Sequence, residues 1–151
     1  MTDKIDRATR SRNMSRIRSR NTRPELKVRR ILHKLGYRFR LHRKDLPGRP
    51  DVVLPKHRVA IFINGCFWHR HVGCREASRP KSNTLYWETK LNRNVERDSR
   101  NHELLGIQNW KVVIFWECEL EKDDCALLVQ KRLAETSSIS IAKAAGIPNN
   151  L

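Results

Sequence analysis

Apolar residues recur along the chain with two periods, and the switches between those periods mark its elements. Val28, Ile31, Leu32 and Leu35 return at helical spacing, the mark of a helix that buries one stripe. Thr22-Arg23-Pro24-Glu25 precedes them as a capping box, with Thr22 at the N-cap, Pro24 in the first turn and Glu25 at N3. Gly36 supplies a stop. Tyr37, Phe39 and Leu41 then alternate with Arg38, Arg40 and His42, the period of a half-buried strand, until Leu46-Pro47-Gly48-Arg49-Pro50 breaks it. Residues 51–54 form a short strand, 55–58 a turn, 59–63 a buried strand and 64–82 a loop. A helix is expected from Thr84 to Leu105, a strand from Lys111 to Trp116, and a last helix capped by Asp123 or Asp124 and running to Ala134. The order helix, three strands, helix, strand, helix contains a crossover. It predicts an α/β fold with a mixed central sheet flanked by helices.

Length and charge divide this pattern into parts. The 151 residues suffice for one domain with a core of its own. Residues 22–136 carry the periodic pattern. Residues 137–151 form a tail without a strong signal, and residues 1–21 form a basic arm in which Met14 and Ile17 stand three apart with little to bury. Lys and Arg total 32 against 16 Asp and Glu, a net charge of +16. A field of that sign, with its arginines clustered, attracts nucleic acid. No apolar run is long enough to span a membrane, and the arm lacks the hydrophobic stretch of a secretory signal. The four Cys are therefore expected in a reducing compartment, where metal binding is favoured over disulfides.

Several residues stand out against this background. Asp51 opens an apolar strand, a place as often taken by a turn residue. The neighbouring strand, however, runs straight into Gly65-Cys66-Phe67-Trp68-His69, and a carboxylate beside an imidazole can hold a hard cation and move a proton. Leu91, Val95, Asp98, His102 and Leu105 fall on one helix face, so Asp98 lies on a core stripe unless it is paired or works on something. Asn94 and Arg97 flank that stripe and could face phosphate. Cys66, His71 and Cys74, with Cys118 after the fourth strand, supply the soft ligands of a closed tetrahedral zinc site, whereas Cys125 packs. Phe67, Trp68, Tyr86 and Trp87 lie in or beside irregular segments, either as core or as wedges that stack on bases. Trp110 and Trp116 bracket a buried strand and read as core.

Taken together, Ala8-Thr9-Arg10-Ser11 with Asn13-Met14, Leu46-Pro47-Gly48-Arg49-Pro50-Asp51, Gly65-Cys66-Phe67-Trp68-His69, Asn94-Val95-Glu96-Arg97-Asp98 and Trp116-Glu117-Cys118 make the chain resemble the very short patch repair endonucleases. These stretches run in order through most of the chain. The resemblance implies a restriction-endonuclease-like core that nicks one strand of double-stranded DNA beside a T:G mismatch by magnesium-dependent hydrolysis. It implies that Asp51 and the backbone carbonyl of Ile63 bind Mg2+, that His69 is the general acid or base, and that Asp98 and Glu25 assist through metal-bound water or the His. Cys66, His71, Cys74 and Cys118 would hold a structural Zn2+. Phe67, Trp68 and Trp87 would enter the duplex from the major groove, Met14 and Ile17 from the minor groove. A monomer in the bacterial cytoplasm, acting at the nucleoid with mismatch-repair partners, completes that expectation. Two departures accompany it: Ile63 stands where the family carries Thr, and the loop between His71 and Cys74 is one residue longer. Glu25 is also the capping-box partner of Thr22, and those two roles compete. A non-catalytic, zinc-stabilised nucleic-acid-binding module would explain the same charge, Cys and aromatics but would leave Asp51 and Asp98 without a task. A restriction-type nuclease would instead cut both strands of a matched site.

Overall fold

The computed structural model describes residues 6–9, 12 and 20–144, so Met14 and Ile17 of the basic arm lie outside the described residues. Helix α1 (Arg23–Lys34) starts on Thr22, whose hydroxyl accepts the Glu25 N–H at 3.4 Å. It ends in a Schellman turn: Tyr37 N–H donates to Leu32 C=O at 3.0 Å and Gly36 N–H to His33 C=O at 3.1 Å. Gly36 has φ +83°, a conformation that favours glycine. Val28 and Leu32 are fully buried and Ile31 packs at the edge of the core. Leu35, expected on the same stripe, is 40% exposed because it is the C-cap, where the helix leaves the sheet.

Strands β1 (Arg40–Leu41), β2 (Val52–Leu54), β3 (Val59–Asn64) and β4 (Lys111–Trp116) form one sheet in the order β1-β2-β3-β4. The first two pairings are antiparallel; β3 and β4 are parallel, joined by the crossover helix α2 (Thr84–Ile107). The mixed sheet read from the hydrophobic pattern is therefore present. Its two faces follow the period of two. Val52, Leu54, Val59, Ile61, Val113 and Phe115 meet Val28 and Leu32 of α1, whereas Val53, Ala60 and Phe62 meet Leu105 of α2 and Trp110.

Three expectations change. Only Arg40 and Leu41 of the alternating run join the ladder: in that register Tyr37 falls opposite Lys56, where β2 has already turned into a 3-10 helix at Pro55–His57, and neither Tyr37 nor Phe39 lies in a strand. They pack against the core instead. A short helix α3 (Glu117–Leu120), unforeseen, follows β4 directly. The last helix, α4 (Cys125–Ala144), extends well past Ala134, since residues 135–144 contain neither Gly nor Pro. Asp124 C=O accepts the Leu127 and Leu128 N–H groups at its start, and Cys125, Val129 and Leu133 seal the α1 face of the sheet. Among the described residues no helix is long and apolar enough to cross a membrane.

Candidate active site

The sheet delivers its chemistry at one end, where β3 and β4 finish side by side and β2 begins. Asp51 sits just before β2, and one of its oxygens, Oδ2, accepts the Ile63 N–H at 2.7 Å. The β2–β3 register pairs Val52 with Ile61, which places Pro50 opposite Ile63. In a strand the N–H and C=O of one residue point the same way, so the Ile63 carbonyl is directed toward Asp51 and Pro50. Proline has no N–H to give it. A carboxylate and a carbonyl that Pro50 cannot pair thus converge.

Burial pushes the Asp51 carboxyl up to about 6, with the nearby Glu25 carboxylate adding to the rise; the Ile63 N–H, His69 and Arg29 act the other way. This is the environment in which a hard cation would be held. Ile63 needs no hydroxyl to take part through its carbonyl, so the Thr-to-Ile departure leaves that oxygen available.

His69 follows β3 by five residues, in a turn closed by its own N–H donating to Gly65 C=O at 3.2 Å. Its Nδ1 lies 2.5 Å from Asp98 Oδ2. Because a carboxylate only accepts, Nδ1 carries the proton, leaving Nε2 as the free nitrogen of the neutral ring. Both side chains are about a quarter exposed (25% and 23%), open enough to meet a substrate.

Asp98 is consequently not a core residue. The face on which it lies buries Leu91 and Leu105, but Val95 is 40% exposed. A helix of 24 residues is about 36 Å long, whereas six-residue strands span about 20 Å, so the middle of α2 overruns the sheet and lies against the His69 loop. His102, one turn further on, packs tilted against Phe62 at 4.9 Å, and burial lowers its pKa.

Glu25 is almost fully buried and serves several partners. It accepts from Asn21 N–H at 3.1 Å and from the Thr22 hydroxyl at 3.4 Å, completing the cap. Oε2 also meets Arg29 at 3.1 Å and lies 3.6 Å from His42 Nε2. Glu25, His42 and Asp51 each offer a ligand atom, and these atoms lie within 4.8 Å of one another. Capping and the Asp51 neighbourhood are therefore compatible for one carboxylate. Sequence reasoning missed His42 and Arg29. They read as surface residues of a strand and a helix, and the left-handed turn at His42 (φ +47°) that brings its ring inward has no signal in the sequence.

The second cluster lies beyond the first turn after β3. Cys66, His71, Cys74 and Cys118 offer ligand atoms within 4.8 Å of one another. Ligand atoms of a tetrahedral zinc stand about 3.5–4 Å apart, so the set fits that ion. His71 Nδ1 is 3.4 Å from Cys118 Sγ, and its ring stacks on Trp116 at 4.2 Å and 5°. The extra residue in the loop is accommodated outward: Val72 is 94% exposed and Gly73 takes φ +74°, so that Cys74 N–H returns to His71 C=O at 3.3 Å. Cys118 is placed by α3. Glu119 accepts two hydrogen bonds from Arg132 at 2.7 Å each and one from Trp116 N–H at 3.1 Å, tying the end of β4 to α4. Burial, with the neighbouring thiols, pushes Cys66 up to about 12, so binding a metal there would release its proton. Cys125 is buried in the core, as expected of a packing thiol.

Phe67, Trp68 and Trp87 form one half-buried cluster with centroids 5.1, 5.5 and 6.0 Å apart, and Tyr86 adds an edge to Trp87 at 5.2 Å. Lys90 lies over Trp68, Tyr86 and Trp87 at 5.4 to 5.8 Å. Asn94 does not simply face outward: its amide donates to Trp68 C=O at 3.1 Å, and Arg97 in turn donates to Asn94 at 3.1 Å. Trp110 is core, whereas Trp116 is only half-buried beneath His71.

The family model described as DNA mismatch endonuclease Vsr matches residues 2–75. The type II nicking enzyme V.XorIIP of Xanthomonas oryzae pv. oryzae is 51% identical over 120 residues, covering 80% of this chain and 88% of that one. V.NmeAIP, a type II nicking enzyme of Neisseria meningitidis serogroup A, is 43% identical over 121 residues, with coverage of 80% and 86%. The DNA mismatch endonuclease Vsr of Escherichia coli is 43% identical over 120 residues, with coverage of 80% and 76%. On these grounds the chain belongs to the Vsr family of DNA endonucleases.

Proposed function

We propose that this DNA endonuclease, built on a restriction-endonuclease-like core, nicks one strand of duplex DNA beside a T:G mismatch by magnesium-dependent phosphodiester hydrolysis. The observation that carries the reading is the His69–Asp98 pair at 2.5 Å beside a buried Asp51 whose carboxyl is pushed up to about 6. A pairing of this kind is a proton-transfer device, and a carboxylate so placed calls for a cation.

Asp51 and the Ile63 carbonyl would hold Mg2+, which when bound supplies positive charge to the scissile phosphate and positions it for in-line attack. Asp98 fixes the orientation of the His69 ring. His69 Nε2 then takes a proton from the attacking water or gives one to the leaving oxygen. Zinc held by Cys66, His71, Cys74 and Cys118 would keep the turn that carries His69 in register with β4. Phe67, Trp68 and Trp87 present faces that could stack into a duplex where a mismatch has weakened the base stack, and the Asn94 contact to Trp68 sets the angle of that wedge. A net charge of +16 gathers the phosphates. One catalytic set on an asymmetric lesion suits a monomer and a single nick.

The test is a nicking assay on duplexes carrying each mismatch, with magnesium present. A single break beside T:G that is lost in Asp51→Ala, with duplex binding retained, is the expected result. Binding without cutting under any divalent ion would leave the non-catalytic binding module instead. Linear product from a matched plasmid would indicate a restriction-type nuclease.

A further inference from the structure

Residues outside the proton-transfer pair point to a fuller cation site. Arg29 Nη2 lies 3.1 Å from Glu25 Oε2 and 3.1 Å from His42 Nε2. An N–H of a guanidinium can only donate, so at this distance His42 Nε2 presents its lone pair to the same point as the Glu25 carboxylate. Asp51 offers the third atom, all three within 4.8 Å of one another. A positive group is thus already seated among two carboxylates and an imidazole. Its fit is incomplete: Arg29 Nε is buried and has no hydrogen-bond partner among the described residues, an arrangement that weakens its hold.

The backbone holds His42 to this task. Its φ of +47° is a conformation that a non-glycine residue adopts at some energetic cost. Its N–H donates to the Asp51 carbonyl at 3.3 Å, continuing the β1–β2 pairing so that the two side chains leave adjoining backbone.

We propose that His42 is a direct ligand, through Nε2, of the divalent cation that Asp51 binds, with Glu25 beside it, and that Arg29 is the group this cation displaces. The proposal rests on the reading of Asp51 as a cation-binding residue. A nitrogen ligand changes what the site prefers. Carboxylates and carbonyls suit magnesium, whereas an imidazole favours later first-row ions such as cobalt or nickel. The mixed set should therefore bind Co2+ more tightly than Mg2+.

The zinc-loaded protein, without DNA, is titrated with Co2+ or Mg2+ by calorimetry near neutral pH, and the Co2+ form is examined by NMR for strongly shifted imidazole protons. Visible absorption reports whether any cobalt has entered the thiolate cluster. His42→Gln should lower Co2+ affinity roughly tenfold or more while Mg2+ affinity changes far less. Arg29→Gln should raise the affinity for both ions, and Asp51→Ala should lower it for both. The shifted imidazole signal should be present in the unaltered protein, so folding of the variants does not decide the matter. Unchanged Co2+ affinity in His42→Gln, or no shifted imidazole resonance, overturns the role of His42. If Asp51→Ala still weakens both ions in that case, the Asp51 reading stands by itself; if Asp51→Ala binds like the unaltered protein, that reading falls as well.

Discussion

Two sets of ligating side chains gather at the same end of the sheet, built on opposite terms. The thiol cluster takes three of its four members from nine consecutive residues, 66–74, and the fourth from the short helix behind β4. Four such ligands would close a tetrahedron around zinc and leave no open position. The carboxylate cluster draws Asp51, Ile63, His69 and Asp98 from a turn, a strand, a loop and a helix, with Glu25 and His42 alongside. Its atoms are harder, its His69 and Asp98 side chains are about a quarter exposed, and one carboxyl is destabilised as an anion. The first arrangement is suited to fixing chain segments in place, the second to exchanging something with a substrate. Proximity to a sheet end does not separate them; ligand chemistry does.

The largest effect is expected at the thiol cluster. Stripping zinc, or Cys66→Ser, should lower stability by several kcal/mol, read as a large fall in Tm that zinc restores only to the unaltered chain. A stable, nicking-competent protein without zinc would refute the scaffold role. Asp51→Ala should next leave Tm largely intact but reduce nicking on the order of a thousandfold, measured beside an unchanged gel-shift affinity. Asp98→Asn keeps a hydrogen-bonding group against His69 but loses the charge; a fall of roughly 10–100-fold in kcat with little change in KM is expected.

The smallest effect concerns stability and pH. The Asp51 carboxyl titrates near 6 in the fold against 3.8 for the unperturbed group, so ionising it opposes folding. That penalty is absent below 3.8, grows as the pH rises through about 6 and is complete above it. In zinc-loaded, magnesium-free protein, Asp51→Asn should therefore be about 3 kcal/mol more stable at neutral pH, with the advantage disappearing in acid. Calorimetric unfolding across that range measures it. A variant that is less stable at neutral pH would mean that the carboxylate is well compensated and does not await a cation.

Much of this was legible in the chain because period and punctuation are local. The Thr22 cap, the Gly36 stop, the strand Lys111–Trp116 and the crossover could be read from spacing and turn residues. Asp98 drew attention as a polar residue on an apolar face; what the pattern could not show was that α2 outruns the sheet, which makes His69 its partner. The grouping of Cys118 with the 66–74 loop could be read from ligand type and spacing, whereas α3, the four-residue helix that places Cys118, is too short to leave a periodic signature. His42 and Arg29 were invisible for a different reason. Their association is set by a left-handed backbone turn and by contact between α1 and the end of β1, neither of which composition encodes.

The Pro50 that faces Ile63 carries a consequence for how such a site varies. The feature that frees the Ile63 carbonyl belongs to a residue on the opposite strand, so the side chain at 63 can drift through isoleucine, valine or threonine without altering that oxygen. Replacement of Pro50 by alanine, outwardly mild, would introduce an amide hydrogen able to satisfy the carbonyl from within the ladder. If the Ile63 oxygen holds the proposed cation, genetic tolerance should be inverted between the two positions, permissive at the residue that offers the oxygen and strict at the one that contributes no atom.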